Sequence, residues 1–341
     1  AAQFVQNPWY PVAEPSDAQA SADTADASRD LTAELVKLVQ AMQEIKAEED
    51  SRVNSYEIFV NQKQTHIRNS RGVDVTFSGF DCEIEVVTNS RKDDHEIEIY
   101  KDLRFSDKSA EKIIAEVRGM FHTGRQRLNA VPTRQNEHAD VLLTGNAVGS
   151  FFQYFAMHTN ASYQYMGVAK AKIGEAITGA DADPLNIRLV PTLDGSAKNA
   201  PYDETGMPVA ERVLFENGIC RSYWGSLQHA HYIGMKDTTS MNNMVVEGGS
   251  KTLDELRSMP HIEITDFSAF DMDAVSGTCG GEIRLAYESD GTTSHPTTSG
   301  SLSARYDDVL KNLTFSKETQ QLNNRVVPCA VLLRDVTVAG E

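Results

Sequence analysis

The chain has 341 residues, 40% of them hydrophobic and 24% charged, so it has the composition of a globular protein and is long enough to bury a sizeable core in two domains. Its 32 Lys and Arg residues against 49 Asp and Glu residues give a net charge of −17, which repels nucleic-acid phosphates and anionic membrane surfaces. Direct binding to nucleic acid or to a membrane is therefore disfavoured.

Residues 1–27 are predicted to form an acidic flexible tail or linker. The stretch from Pro11 to Ala27 consists of small and acidic residues and lacks the large apolar groups that would offset the entropy of ordering it. The start of the chain has no basic region followed by an apolar run, and no stretch reaches the roughly 18 apolar residues of a membrane span.

The cysteine pattern indicates a reducing compartment. Cys82, Cys220, Cys279 and Cys329 lie far apart and form no CxxC pair. We therefore expect free thiols and a cytoplasmic protein.

Residues 28–131 are predicted to form an α+β central domain that begins with a helix. Apolar residues from Leu31 to Ile45 recur at helical spacing, and Ser28 or Asp30 is available as the N-cap.

The rest of this central domain has strands and a second helix. From Val53 to Phe105 apolar and polar residues alternate, which predicts an antiparallel meander. The segment SAEKIIAEVRGMF then predicts a second helix capped by Ser109 or Asp107.

Residues 132–341 are predicted to form a larger, β-rich C-terminal domain. The polar stretch from Pro132 to His138 marks the boundary, and DVLLT predicts a short strand before a helix around Val148 to Met157. Strand and turn patterns dominate after Asp181. The predicted fold class is α+β, with a helix and antiparallel sheet unit before the β-rich domain.

Five motifs in order resemble the TldD/PmbA family, whose members were once called modulators of DNA gyrase. They are NSRG (Asn69–Gly72), PYDETGMP (Pro201–Pro208), VLFENGICRSYWGSLQHAHYIGM (Val213–Met235), SGTCGGEIRLAYESDG (Ser276–Gly291) and LSARYDDVLKNLTFSKE (Leu302–Glu318). The resemblance spans roughly Leu31 to Gly340 and rests on the set, since no single motif is highly specific. The α/β segment that usually precedes the helical region in the family has no evident match, so we expect a short or truncated member.

The resemblance implies one of two kinds of protein. The family contains zinc metallopeptidases of the TldD type, with HExxxH on a helix, and PmbA-like (TldE-like) partners that lack this motif. The two kinds assemble into complexes that process peptides or small proteins.

The segment from Asp140 onward, DVLLTGNAVGSFF, resembles the strand and turn before the zinc helix of TldD-type members. The helix then reads QYFAMH from Gln153 to His158 instead of HExxxH. Gln153 replaces the first zinc ligand, Tyr154 replaces the glutamate that would act as general base, and His158 alone keeps its place. We therefore expect no catalytic residue, no bound metal and no cofactor, and we interpret His158 as a relic or as a cation at the helix C-terminus.

These expectations favour a non-catalytic TldE-like subunit of a peptide-processing complex. Its partners would be a TldD-like subunit or a second copy in a homodimer, together with a peptide or small-protein substrate. Replacing Gln153 by His and Tyr154 by Glu should rebuild HExxxH and raise zinc binding.

The alternative is an active hydrolase that uses a relocated metal or Cys279. The thiol of Cys279 lies beside glycines 277, 280 and 281, but no histidine is fixed next to it by sequence, so packing is favoured over catalysis. These glycines are more typical of a bulge or a close approach of chains than of a phosphate cradle.

Other histidines give weaker candidates. His95 and Glu96 open a strand of alternating polarity, which predicts a solvated strand face. His229 and His231 lie two residues apart in a segment that the family makes helical, so their side chains should point away from each other.

Overall fold

The computed structural model describes residues 8–17 and 29–341. Its N-terminal unit is a three-stranded antiparallel sheet, in the order β1-β2-β3, packed against two helices. The elements are α1 (Leu31–Gln43), β1 (Ser51–Arg68), β2 (Asp74–Lys92), β3 (His95–Phe105) and α2 (Ala110–Leu128). The predicted meander and both predicted helices are present.

The structure shows which of the predicted N-cap residues caps each helix. The Asp30 carboxylate accepts hydrogen bonds from the backbone N–H groups of Thr32 and Ala33, so α1 begins after Asp30. Ser109 caps α2 by accepting a hydrogen bond from the Lys112 N–H. The other candidate for α1, Ser28, lies outside the described residues.

Strand β2 supplies the centre of this unit because its alternate residues are buried. Ile84 and Val86 are fully buried and belong to one apolar cluster with Leu38 of α1 and Val117 of α2. The period-two pattern of the strand and the helical period of α1 and α2 thus bury one shared core.

The N-terminal tail prediction falls mostly on residues 1–7 and 18–27, outside the described residues. The described stretch, residues 8–17, has no regular secondary structure and contacts both parts of the protein. The carbonyl of Ala13 accepts a hydrogen bond from the Asn69 side chain (2.7 Å), and the carbonyl of Pro8 accepts one from the Tyr232 hydroxyl (2.5 Å). The division of the chain at residues 27 and 131 stays a prediction.

The remainder of the chain is rich in strands. Its elements are β4 (Val131–Pro132), β5 (Asn136–Thr144), α3 (Asn146–His158), α4 (Ala161–Tyr165), β6 (Ile187–Val190), β7 (Arg212–Glu216), β8 (Ile219–Cys220), α5 (Leu227–Tyr232), β9 (Asn243–Val246), α6 (Leu253–Arg257), β10 (His261–Asp273), β11 (Thr278–Ser289), β12 (Ser294–Thr298), β13 (Ser301–Arg305), α7 (Tyr306–Val309), β14 (Thr314–Phe315), β15 (Thr319–Leu322), β16 (Arg325–Pro328) and β17 (Ala330–Ala339).

These strands form two sheets. An eight-stranded sheet has the order β10-β5-β17-β13-β11-β12-β4, with β14 beside β17, and pairing of β10 with β11 closes five of its strands into a ring. A six-stranded sheet has the order β15-β16-β9-β6-β7-β8. The predicted α+β class, with a small helix and sheet unit before a β-rich part, is confirmed.

The glycines of β11 allow its neighbours to approach closely. A Cβ on Gly280 would lie 2.0 Å from the Leu302 carbonyl oxygen of β13, and one on Gly281 would lie 2.0 Å from the Ala269 carbonyl oxygen of β10. Because neither residue has a side chain, Gly280 and Gly281 allow the close approach of chains that the sequence predicts.

Helix α3 lies in the main core, where it packs against β5 and β10 of the larger sheet and β16 of the smaller one. A central position of this kind requires a helix that is apolar on most of its surface. In the described part of the chain, no helix is both long and apolar enough to cross a membrane.

Candidate functional site

The turn before α3 fixes where the helix starts. Strand β5 ends at Thr144, and Gly145 has φ 66°, a conformation that L side chains rarely adopt. A Cβ at Gly145 would lie 2.9 Å from the Thr265 carbonyl oxygen of β10, so the position also lacks space for a side chain. Gly145 thereby places α3 directly over the parallel pair formed by β5 and β10.

The aromatic side chains of α3 are core residues. Phe151, Phe152, Tyr154 and Phe155 are fully buried. Phe152 makes an edge contact with Phe315 at 5.6 Å between ring centroids, and Phe155 makes one with Phe215 at 5.9 Å.

Tyr154 occupies the position predicted to correspond to the catalytic glutamate. Its ring stacks on Tyr306 of α7, with centroids 3.7 Å apart and planes within 5°. Its hydroxyl is buried without a hydrogen-bond partner, and burial raises the pKa of this phenol well above its usual range. A neutral phenol in this environment does not accept a proton at neutral pH.

His158 is the last residue of α3 and is also fully buried. Its Nδ1 accepts a hydrogen bond from the backbone N–H of Lys170 (3.1 Å), while Nε2 is buried without a partner. The imidazole lies one helical turn from Tyr154, with ring centroids 4.2 Å apart.

Burial, with a further contribution from the nearby Lys170 charge, lowers the pKa of His158 to about 4. The imidazole is therefore neutral at pH 7. The prediction that His158 acts as a cation at the helix C-terminus is wrong, because desolvation of the ring outweighs the attraction of the helix carbonyls. The carbonyl of Ala156 instead accepts a hydrogen bond from the indole N–H of Trp224 (2.8 Å).

Gln153 lies on a different side of α3. Its Oε1 accepts a hydrogen bond from Nη2 of Arg325 (2.9 Å), and Nη1 of the same arginine donates to the Gly149 carbonyl (3.2 Å). Gln153 and His158 are five positions apart, which corresponds to about 140° around a helix axis. The structure thus brings Tyr154 and His158 together and keeps Gln153 apart from them.

This arrangement argues against the expectation that Gln153→His with Tyr154→Glu would rebuild a zinc site. A histidine at position 153 would project toward Arg325, whereas His158 faces the Tyr154 ring in the interior. Zinc needs its ligands within about 2.0–2.3 Å of one point, and the observed contacts of positions 153 and 158 do not direct both side chains toward one point.

A cleft opens beside Gln153, between the N-terminal unit and the hairpin formed by β15 and β16. It has a volume of about 490 Å³. The lining residues are Lys101, Asp102, Leu103, Arg104, Lys108, Glu116, Asn146, Gly149, Gln320, Gln321, Leu322, Asn323, Asn324 and Arg325. Two larger cavities, of about 660 and 700 Å³, have no α3 residue in their linings.

Sequence reasoning missed Arg325 and its hairpin. The available signal was the Asn323-Asn324 pair between two short strands, since asparagine tolerates the left-handed backbone of a tight turn and Asn323 has φ 52°. Nothing in the local sequence indicates that Arg325 reaches α3, because that contact joins residues 172 positions apart.

The remaining candidates do not converge on one site. His229 and His231 lie on the helix α5, as predicted, where His229 contacts the Ser226 hydroxyl and His231 contacts the Trp9 ring. His95 is exposed at the start of β3. Across residues 8–17 and 29–341, no group of three or more His, Cys, Asp or Glu side chains is arranged to hold a metal ion.

The four cysteines are free thiols, as predicted. Cys279 is 5% exposed, and burial raises the pKa of its thiol to about 12, so the reactive thiolate does not form at neutral pH. Cys329 is half-buried and lies between β16 and β17.

The sequence of the larger, β-rich part of the chain matches one protein family. The family described as PmbA/TldA metallopeptidase C-terminal domain matches residues 136–340. The chain therefore belongs to the PmbA/TldD family, which confirms the resemblance carried by its five motifs.

Solved structures agree on the fold. TldE from Thermococcus kodakarensis is similar over 99% of this chain and 82% of its own, with a TM-score of 0.78 and 18% sequence identity. A proposed modulator of a DNA gyrase from Thermotoga maritima matches over 96% and 80%, with a TM-score of 0.77 and 17% identity. A proposed modulator of DNA gyrase from Bacteroides thetaiotaomicron matches over 97% and 76%, with a TM-score of 0.71 and 15% identity. A comparison with curated proteins gave no match.

Proposed function

We propose that this chain is a non-catalytic, TldE-like subunit of a peptide-processing complex, and that it binds peptide together with an active TldD-type partner. Membership of a metallopeptidase family supports the general role. The observation that carries the non-catalytic assignment is the stacking of fully buried Tyr154 on Tyr306 at the position where the resemblance implies a catalytic glutamate.

The chemistry of a zinc peptidase requires groups that this helix does not present. A catalytic zinc site needs three protein ligands, an open position for water and a general base within reach of that water. Tyr154 offers a buried neutral phenol, and His158 offers one neutral imidazole whose Nδ1 already accepts the Lys170 N–H. Gln153 is engaged by Arg325.

A role as a subunit accounts for these features without a cofactor. Zinc would be supplied by the TldD-type partner, and this chain would contribute binding surface for the substrate. The free cysteines support a cytoplasmic location, and the net charge of −17 supports a peptide or protein partner over nucleic acid.

Elemental analysis and a hydrolysis assay test the non-catalytic role. We expect the purified chain to contain no stoichiometric zinc and to leave casein uncleaved with or without added zinc. Stoichiometric zinc accompanied by chelator-sensitive cleavage would overturn the proposal.

The partner is tested by light scattering on the chain alone and after mixing with a TldD-type protein that carries HExxxH. We expect a complex containing both chains. A homodimer that does not exchange with the TldD-type chain would instead support self-association as the functional state.

A further inference from the structure

The cleft beside Gln153 contains an arginine without a counter-charge. Arg325 donates to two neutral acceptors, the Gly149 carbonyl and the Gln153 amide oxygen, and these bonds use only two of its five N–H groups. Within the described ranges, no carboxylate lies within 4.0 Å of its guanidinium nitrogens to form an ion pair. A half-buried guanidinium loses hydration without gaining an ionic partner, so this position favours an incoming anion.

The other cations that line the cleft are already paired. Lys101 and Lys108 both contact the Glu116 carboxylate, and Arg104 contacts Asp102 and Glu83. The lining therefore holds four cations, counting Arg325, but only two carboxylates, Asp102 and Glu116. This excess of positive charge stands out in a chain whose net charge is −17.

Helix α3 adds to the positive character of the cleft. Its first residue, Asn146, lines the cavity, and its N-cap, Gly145, has no side chain to accept a hydrogen bond from the first turn. The positive end of the helix dipole therefore supports the charge of Arg325. This contribution to the positive charge of the cleft is secondary to that of Arg325, whose guanidinium has no carboxylate partner among the described residues.

We propose that this cleft binds the C-terminal carboxylate of a peptide through Arg325. The proposal rests on the proposed function for the class of ligand, a peptide. A guanidinium presents parallel N–H groups that match the two oxygens of a carboxylate. The volume of about 490 Å³ also admits the last few residues of a peptide.

The geometry also explains why Gln153 occupies its position. Its amide oxygen holds one edge of Arg325 by a neutral hydrogen bond and so orients the guanidinium without neutralising it. A carboxylate at position 153 would form an internal ion pair and remove the attraction for a ligand. Gln153 is therefore a positioning residue for Arg325.

The test uses the full chain and a mixture of hexapeptides that carry fluorescein at the N-terminus and end in either a free carboxylate or an amide. We expect fluorescence anisotropy to give at least about tenfold tighter binding for the acids, which is the usual size of one hydrogen-bonded charge contact. Arg325→Gln should remove this preference. Gln153→Glu should weaken acid binding and so reduce the ratio of acid to amide affinity.

Arg188→Gln is the matched control, because Arg188 is a half-buried arginine on β6 that pairs with Glu211 and does not line the cleft. It should keep the preference for acids. Thermal unfolding of each variant checks the fold, and competition by acetate on the wild-type chain gives a readout that needs no substitution.

The outcomes separate this inference from the proposed function. Equal binding of acids and amides by the wild-type chain would overturn the carboxylate site and leave peptide binding intact. Stronger competition by inorganic phosphate than by acetate would overturn it in favour of a phosphate site. Binding of neither peptide would overturn both the carboxylate site and the peptide-binding part of the proposed function.

Discussion

Tyr154 of α3 and Tyr306 of α7 stack face to face, with ring centroids 3.7 Å apart and planes within 5°. The two residues are far apart in sequence, and their contact fills the interior side of the helix that the resemblance to TldD-type members predicts to carry the zinc motif. Tyr306 also donates a hydrogen bond from its hydroxyl to the Phe151 carbonyl (2.9 Å). The position is therefore part of the core, and replacing Tyr154 tests stability before it tests chemistry.

We predict that Tyr154→Glu lowers the free energy of unfolding by about 3–5 kcal/mol, because it removes a buried aromatic side chain and introduces a carboxyl group without a partner. Tyr154→Phe is the control, and it should change stability by less than about 1 kcal/mol because it deletes only an unpartnered hydroxyl. Urea unfolding measures both variants. A Tyr154→Glu protein as stable as the wild type would show that this side chain reaches solvent.

The double substitution Gln153→His with Tyr154→Glu should not create a zinc site. An imidazole at position 153 would project toward Arg325, whereas the His158 imidazole faces position 154 and accepts the Lys170 N–H in the interior, so this arrangement does not direct both at one ion. Zinc content after dialysis, measured by elemental analysis, should equal that of the wild type and of Gln153→His alone. Stoichiometric zinc in the folded double variant would contradict the observed geometry.

His158 should make stability depend on pH below about 6.5. The folded-state pKa of about 4 lies below the ordinary value of 6.5, so the unfolded chain takes up the proton first as the pH falls. The contribution of His158 to folding is thus fully present above pH 6.5 and decreases by about 3 kcal/mol on reaching pH 4.

Urea unfolding of the wild type and of His158→Gln at pH 7, 5.5 and 4 checks this prediction. The variant should have the shallower pH dependence, whereas His95→Gln, which changes an exposed histidine, should follow the wild type. Parallel curves for the wild type and His158→Gln would mean that the imidazole titrates normally in the folded protein.

Thiol reactivity should distinguish Cys329 from the other three cysteines. Burial raises the pKa of Cys82 and Cys220 to about 11 and that of Cys279 to about 12, and all three side chains are buried, whereas Cys329 is half-buried. Iodoacetamide at pH 8 should therefore modify Cys329 first in the folded protein.

Peptide mass spectrometry locates the label, and labelling in urea provides the control in which all four cysteines react. Rapid native labelling of Cys279 would restore the alternative in which this thiol acts as a nucleophile.

The sequence by itself determined the secondary structure of the N-terminal unit, the fold class and the family. Alternating residues in β2 and helical spacing in α1 are local patterns, so a single stretch of chain contains enough information to predict each element. The same holds for QYFAMH, where the identities of Gln153 and Tyr154 were enough to predict that the zinc motif is degenerate.

Only the tertiary structure decided what those residues do. The neutrality of His158 depends on its burial, and the stacking of Tyr154 depends on Tyr306 in a distant helix. Arg325 is a candidate ligand-binding residue because the hairpin that carries it, 172 positions away in sequence, brings it to Gln153. No carboxylate of the described part of the chain pairs with it there. The burial of a side chain and the pairing of its charge depend on neighbours from the whole chain, so a local sequence pattern does not contain this information.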